Sequence, residues 1–270
     1  MARLDRILLC LLLVSSCRAH EAPLEPAPVP QLPRGNLLAL PEGWRTLPPL
    51  EFERWVEAAL PAELSTPLDE AARGALAKAL DDVAVPRDGG SQDPVAVRAA
   101  VILGRSRHPT SAAILIRRLE RRVLGPERWS DCGDTLAAAA LARYPDPRRY
   151  AQRLVPLAAG SRPHPDLEVR VECAATALHA GFTEVLPFLL MVLRIDTPAG
   201  RADLRDFAVS PTTAWPRGRA AEALSAYAGV PLTYRTDDSL AGREREAARL
   251  EELVLGHTLA PTAPLVPTSP

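Results

Sequence analysis

Apolar positions along this chain recur at helical spacing, and one short cluster of them returns four times. The cluster is Ala-Ala-x-x-Leu, at Ala99–Leu103, Ala137–Leu141, Ala174–Leu178 and Ala220–Leu224, with first alanines 38, 37 and 46 residues apart. A period in the high thirties with no strand pattern between copies predicts a pair of helices per repeat. Each pair has an apolar side it cannot bury alone, which predicts stacking into an α-solenoid. Valine, isoleucine and threonine nowhere alternate over a convincing run, so the expected fold class is all-α.

The same periodicity places the individual helices. Pro49 opens the first, whose Phe52, Trp55, Val56, Ala59 and Leu60 form an amphipathic stripe. Thr66-Pro67-Leu68-Asp69 reads as a helix start, with a capping hydroxyl before a proline. Leu68, Ala72, Ala75, Leu76, Ala79 and Val83 are then expected to line one face. These two helices, within 49–92, are expected to cap the amino-terminal end of the stack. Repeat one spans Pro94–Gly104, a turn at His108-Pro109, and Thr110–Leu124. Repeat two spans Asp131–Arg143 and Pro147–Ala159. Repeat three spans Asp166–Ala180 and Thr183–Arg194, divided at Gly181. A fourth pair starts at Trp215-Pro216, and Gly229 ends its first helix. Ser239 is expected to cap a final helix, Leu240–Leu255, within a closing segment 231–258; the proline-bearing tail 259–270 is expected to be disordered.

Two of the repeat starts resemble a known family. Asp93-Pro94-Val95-Ala96-Val97-Arg98 and Asp166-Leu167-Glu168-Val169-Arg170 are similar to the Asp-x-x-Val-Arg opening of HEAT repeats, and the alanines and leucine that follow resemble the rest of that first helix. Repeat two departs from the pattern, with Asp134 but no Val-Arg. The resemblance covers about 90–230, close to the span 93–230 assigned to repeats. It implies an armadillo-like solenoid in which Asp and Arg form a ladder between neighbouring repeats and second helices line a concave face. Scaffolds, adaptors and a few enzymes share that architecture.

The longer third spacing inserts about nine residues between Ile195 and Trp215, charged and broken by Pro198, Gly200 and Pro211. Its neighbour, Val185–Leu193, is apolar on every side and must be covered. The simpler expectation is that the insertion folds back over it with Phe207; the alternative is a partner's docking groove.

Composition adds an address. Arg3 and Arg6 precede the apolar run Ile7–Val14, which is too short to span a membrane and fits a cleavable export signal. Val14-Ser15-Ser16-Cys17 resembles the bacterial lipobox, which implies removal of residues 1–16 and a lipid on Cys17; the alternative is ordinary cleavage near Ala19. Eight prolines over 19–49 favour an extended tether, assigned to 17–48. The predicted location is the bacterial cell envelope, membrane-anchored by lipid alone.

Charge narrows the chemistry. Net charge is −1, and with the export signal this predicts no nucleic-acid partner. All basic residues but Lys78 are arginine, most simply the mark of a GC-rich genome. Arg117, Arg118, Arg121 and Arg122 are read as one side of a second helix, opposite Ala112, Leu115, Ile116 and Leu119. Arg148, Arg149 and Arg153 occupy the corresponding helix of the next repeat. Residues 94–162 hold 13 Arg against 5 acids, an excess of +8. Such a strip is either a solvated face or a dock for an acidic protein segment or anionic envelope polymer.

Candidate catalytic groups are sparse. The five histidines, His20, His108, His164, His179 and His257, lack partners at ligand spacing and read as structural, with no metal or cofactor implied. Asp131, Asp134 and Glu172 would share neighbouring first helices, though acid–base work also needs a pocket. Cys132 and Cys173 are expected as buried thiols, a disulfide being the alternative. No phosphate loop, nucleophile elbow or metal motif occurs, so a binding scaffold is expected ahead of an enzyme of the lyase or glycosylase type or a structural subunit.

Overall fold

The computed structural model describes residues 40, 43–60, 70–85, 94–124, 132–144, 146–195 and 213–259. The leader, Cys17, most of the tether, the insertion from 196 to 212 with Phe207, and the tail from 260 lie outside the described residues.

Ten α-helices and no strand occur among the described residues: α1 Pro49–Ala59, α2 Glu70–Ala84, α3 Pro94–Ser106, α4 Pro109–Leu124, α5 Cys132–Leu141, α6 Arg148–Ala159, α7 Leu167–His179, α8 Leu186–Leu193, α9 Ala214–Ala228 and α10 Leu240–Leu259. A 3₁₀ turn, Thr183–Val185, leads into α8. The chain divides into two compact units. Unit one runs to Tyr150 and includes His164–Asp166; unit two comprises Ala151–Pro163 and the chain from Leu167.

In unit one, α2 packs on α3 and α4, α3 on α4 and α5, and α4 on α5. The first two Ala-Ala-x-x-Leu copies form the α3–α5 contact: Ala99, Ala100, Leu103, Ala137, Ala138 and Leu141 are all buried. Small side chains let these helices approach closely. At Gly104, directly after the motif leucine, an added Cβ would stand 2.7 Å from the Ala140 Cβ, so the position excludes any larger residue without a shift.

The face of α2 differs from expectation. Leu76, Ala77, Leu80 and Ala84 are buried, whereas Ala75 and Ala79 are exposed and Val83 is half-buried. Alanine scarcely favours either environment, so the two leucines orient the helix and the burial stripe turns towards them. The α1 stripe lies as expected, with Phe52, Trp55, Val56, Ala59 and Leu60 buried.

In unit two, α7 packs on the 3₁₀ turn, α8 and α9, while α9 also meets α8 and α10. The later motif copies, Ala174, Ala175, Leu178, Ala220, Ala221 and Leu224, are buried on α7 and α9. Both helices stop at a glycine. Gly181 and Gly229 adopt φ of 93° and 67°, and the next amides, Phe182 and Val230, donate back to Ala177 and Ser225 at 3.0 Å. A left-handed residue closing a helix in this way satisfies its last carbonyls. The apolar α8 is covered in part within the unit: Leu186, Phe188, Leu189, Val192 and Leu193 are buried, with α7, α9 and α10 around it, whereas Pro187 is exposed and Leu190 and Met191 are half-buried. Ser239 accepts the Gly242 amide at 3.1 Å and so caps α10, which extends to Leu259.

Candidate functional site

Helix α4 starts at Pro109, which fits the first helical turn because its missing N–H would lack a partner there. Ala112, Leu115, Ile116 and Leu119 are buried as expected, and Ile114 and Ser111 join them. That wider buried arc divides the arginines. Arg117 and Arg121 are exposed, whereas Arg118 is 0% exposed. Arg118 follows Leu115 by three residues and Ile114 by four, so it projects from their side of the helix, and its place in an exposed strip is corrected. Arg117 pairs with Asp81 of α2, which neutralises part of the remaining strip. On α6, Arg148, Arg149 and Arg153 are exposed. The Arg122 side chain lies outside the described residues.

Inside unit one, Arg118 organises a buried charge cluster. Its Nε donates to Asp134 Oδ1 at 2.6 Å, and both side chains are fully shielded from solvent. One terminal nitrogen of the guanidinium also donates to Ala84 O at 2.8 Å and Ala96 O at 3.3 Å. Ala84 ends α2, so the cation meets the carbonyl pole of that helix, where positive charge is favoured. The other carboxylate oxygen, Oδ2, lies 4.0 Å from His164 Nε2, and His164 is buried. On the far side of that ring, Nδ1 accepts the Asp166 amide at 3.2 Å. His108 repeats the turn: its Nδ1 accepts the Thr110 amide at 3.1 Å, before the same residue type, proline.

The first repeat-opening arginine serves a different partner. Arg98 donates to Trp44 O at 2.8 Å and to Leu47 O, with its guanidinium 4.9 Å from the Phe52 ring centroid. Burial lowers its pKa. Near the α3–α4 turn, Ser106 and Ser111 hydroxyls approach at 2.6 Å, and Tyr144 donates to Leu103 O at 2.6 Å. Burial pushes the Tyr144 phenol far above its ordinary value.

In unit two the second repeat-opening arginine repeats the arrangement of Arg98. Arg170 donates to Ala158 O at 2.8 Å and lies 4.4 Å from the Phe188 centroid. Burial draws its pKa down to about 10. Glu172 accepts from Arg219 at 2.9 Å. Of the three candidate acids, Asp134 and Glu172 are thus each bound by an arginine of their own unit, and Asp131 lies outside the described residues. Arg217 and Tyr234 are buried; desolvation lowers the first and raises the second, and the Tyr234 hydroxyl donates to Leu193 O at 3.2 Å. His257 is exposed and meets the Tyr227 ring edge-on at 4.9 Å.

The buried role of Arg118 was readable in part, from its i−3 and i−4 neighbours. Nothing in the sequence announces its partners Asp134 and Ala84 O, which lie 16 and 34 residues away. Cys173 is buried on α7; the Cys132 side chain lies outside the described residues. Among the described residues, no trio of His, Cys, Asp or Glu is placed to hold a metal, and no helix is long and apolar enough to cross a membrane. No protein-family profile, curated protein or solved structure matches this chain.

Proposed function

We propose that the chain is a HEAT-like α-solenoid, exported and tethered by a lipid on Cys17, that serves as a binding scaffold in the cell envelope. Its ligand is an acidic protein segment or an anionic polymer, met by arginines of the second helices. The observation that carries this reading is the burial of all four Ala-Ala-x-x-Leu copies on helices, with α3 resting on α5 and α7 on α9. Repeats of this kind present long surfaces and gain specificity from side chains outside the shared core. Exposure of Arg121, Arg149 and Arg153 supports the charge assignment, while Arg117 is shared with Asp81 and Arg118 belongs to the interior. No cofactor or catalytic step enters the reading.

Two variants separate its parts. Crosslinking in intact cells is expected to capture an envelope component with the wild-type chain and to lose it with R121E/R149E/R153E. Undiminished capture by that triple variant removes the arginines from the interface. Cys17→Ser is expected to release the protein from membranes into the soluble envelope fraction; retention would refute the lipid anchor.

A further inference from the structure

We propose that residues 43–60 are a detachable arm of unit one, clasped to α3 by Arg98 and able to open while the helices behind it stay folded. The inference is independent of the proposed binding role and starts from how the arm is joined. Gly43–Thr46 is a closed turn, with φ of 71° at Gly43 and the Thr46 amide donating to Gly43 O at 2.9 Å. Pro48 and Pro49 follow, each with its φ fixed by its ring, and the Phe52 amide donates back to Pro48 O at 2.9 Å. The turn and α1 are therefore stiffly coupled and come away together.

One side chain of α3 holds both parts of the arm. Arg98 Nη1 donates to Trp44 O at 2.8 Å and Nη2 to Leu47 O, while the guanidinium lies 4.9 Å from the Phe52 ring centroid. Those carbonyls belong to the turn and its exit, and the ring belongs to α1. Backbone packing adds little: α2 to α5 lie along one another, whereas α1 makes no extended backbone approach to any of them. Attachment is through side chains instead, and Trp44, Phe52, Trp55, Val56, Ala59 and Leu60 are all buried, which favours closure. Two features oppose it. Trp55 Nε1 is buried with no acceptor, and Arg98 is a desolvated cation whose pKa burial lowers, so opening returns both to water. A segment with so little backbone packing opens ahead of closely packed helices. Once detached, a helix of 11 residues is too short to keep its own bonds in water.

Amide hydrogen exchange of the full chain, followed by NMR and corrected for intrinsic rates, tests this. In wild type, the amides from Phe52 to Leu60 are expected to exchange as a group, about tenfold or more faster than those of Ile102, Leu103, Ala138 and Leu141 in α3 and α5. Arg98→Ala removes the clasp and is expected to speed the Phe52–Leu60 group by about a further tenfold, leaving α3 and α5 unchanged. Arm amides that exchange no faster than those of α3, or an R98A variant that speeds both regions equally or neither, would overturn the proposal. Should R98A fail to fold, R98K replaces it under the same criteria, because lysine keeps the charge and loses the planar fork that reaches two carbonyls.

Discussion

Unit one encloses an arginine completely and unit two holds one half-buried, and the two meet the resulting charge problem differently. Unit one encloses Arg118 completely and supplies Asp134, equally enclosed, with a helix-end carbonyl beside it. Unit two sets Arg170 against an aromatic face and a carbonyl near the end of α6, and burial weakens its hold on a proton. The carboxylate of unit two, Glu172, goes to Arg219, whose side chain keeps 20% of its exposure. A sealed ion pair depends wholly on its partner, because neither ion can recover water when the other is removed. A pair open to solvent can. Equal numbers of charges therefore carry unequal structural weight.

Removing one acid from each unit sharpens that contrast most. Asp134→Ala is expected to destabilise unit one by about 3–5 kcal/mol, since Arg118 stays buried and loses the carboxylate bonded to its Nε. Glu172→Gln is expected to cost about 1 kcal/mol, because Arg219 is hydrated in part and retains Glu222 at 3.5 Å. Urea denaturation followed by circular dichroism measures both. Equal losses would show that enclosure is not what separates the pairs.

Glycines offer the next comparison. Gly104→Ala must push α3 away from α5 and is expected to cost about 1–2 kcal/mol after the gain in helix propensity. Gly229→Ala meets nothing within 4 Å, and only the left-handed backbone opposes it, at about 1 kcal/mol. Restoring space with G104A/A140G should recover most of the first loss and none of the second. Thermal melts of the single and double variants read this directly.

Alkaline titration gives the smallest separation. The Tyr144 phenol is raised by burial, so its contribution is intact below about pH 10 and is lost as pH rises towards the folded value. The slope for one such group is about 1.4 kcal/mol per pH unit. In unit two, Tyr234 is raised in the same sense, but the positive charges of Arg217 and Arg243 oppose the rise. Arg170, lowered to about 10, has the opposite linkage: its contribution grows as pH climbs from 10 towards the free arginine value. Tyr144→Phe should therefore flatten the loss of stability between pH 10 and 11.5 more than Tyr234→Phe. Chemical denaturation at each pH provides the measurement.

Much of the helical layout was legible beforehand. Proline at the start of α1 and α4, glycine after α7 and α9, and serine before α10 act through neighbours within a few residues, and such local chemistry is written in the chain. Apolar spacing likewise located the motif helices. It was less reliable for α2, where alanines gave no direction, and for α4, where four arginines looked equivalent until Ile114 and Ser111 widened the buried arc. The exposed arginines were therefore only partly readable, and the sequence showed His164 merely as a histidine without a partner at ligand spacing.

What the sequence determined by itself is the all-helical character and the side of each motif helix that turns inward, because both follow from backbone geometry and the cost of wetting apolar surface. Only the tertiary structure decided which charges would be enclosed and with whom. Arg118, Asp134 and His164 come from three separate segments, and a charge learns its partner only when folding has removed the water between them.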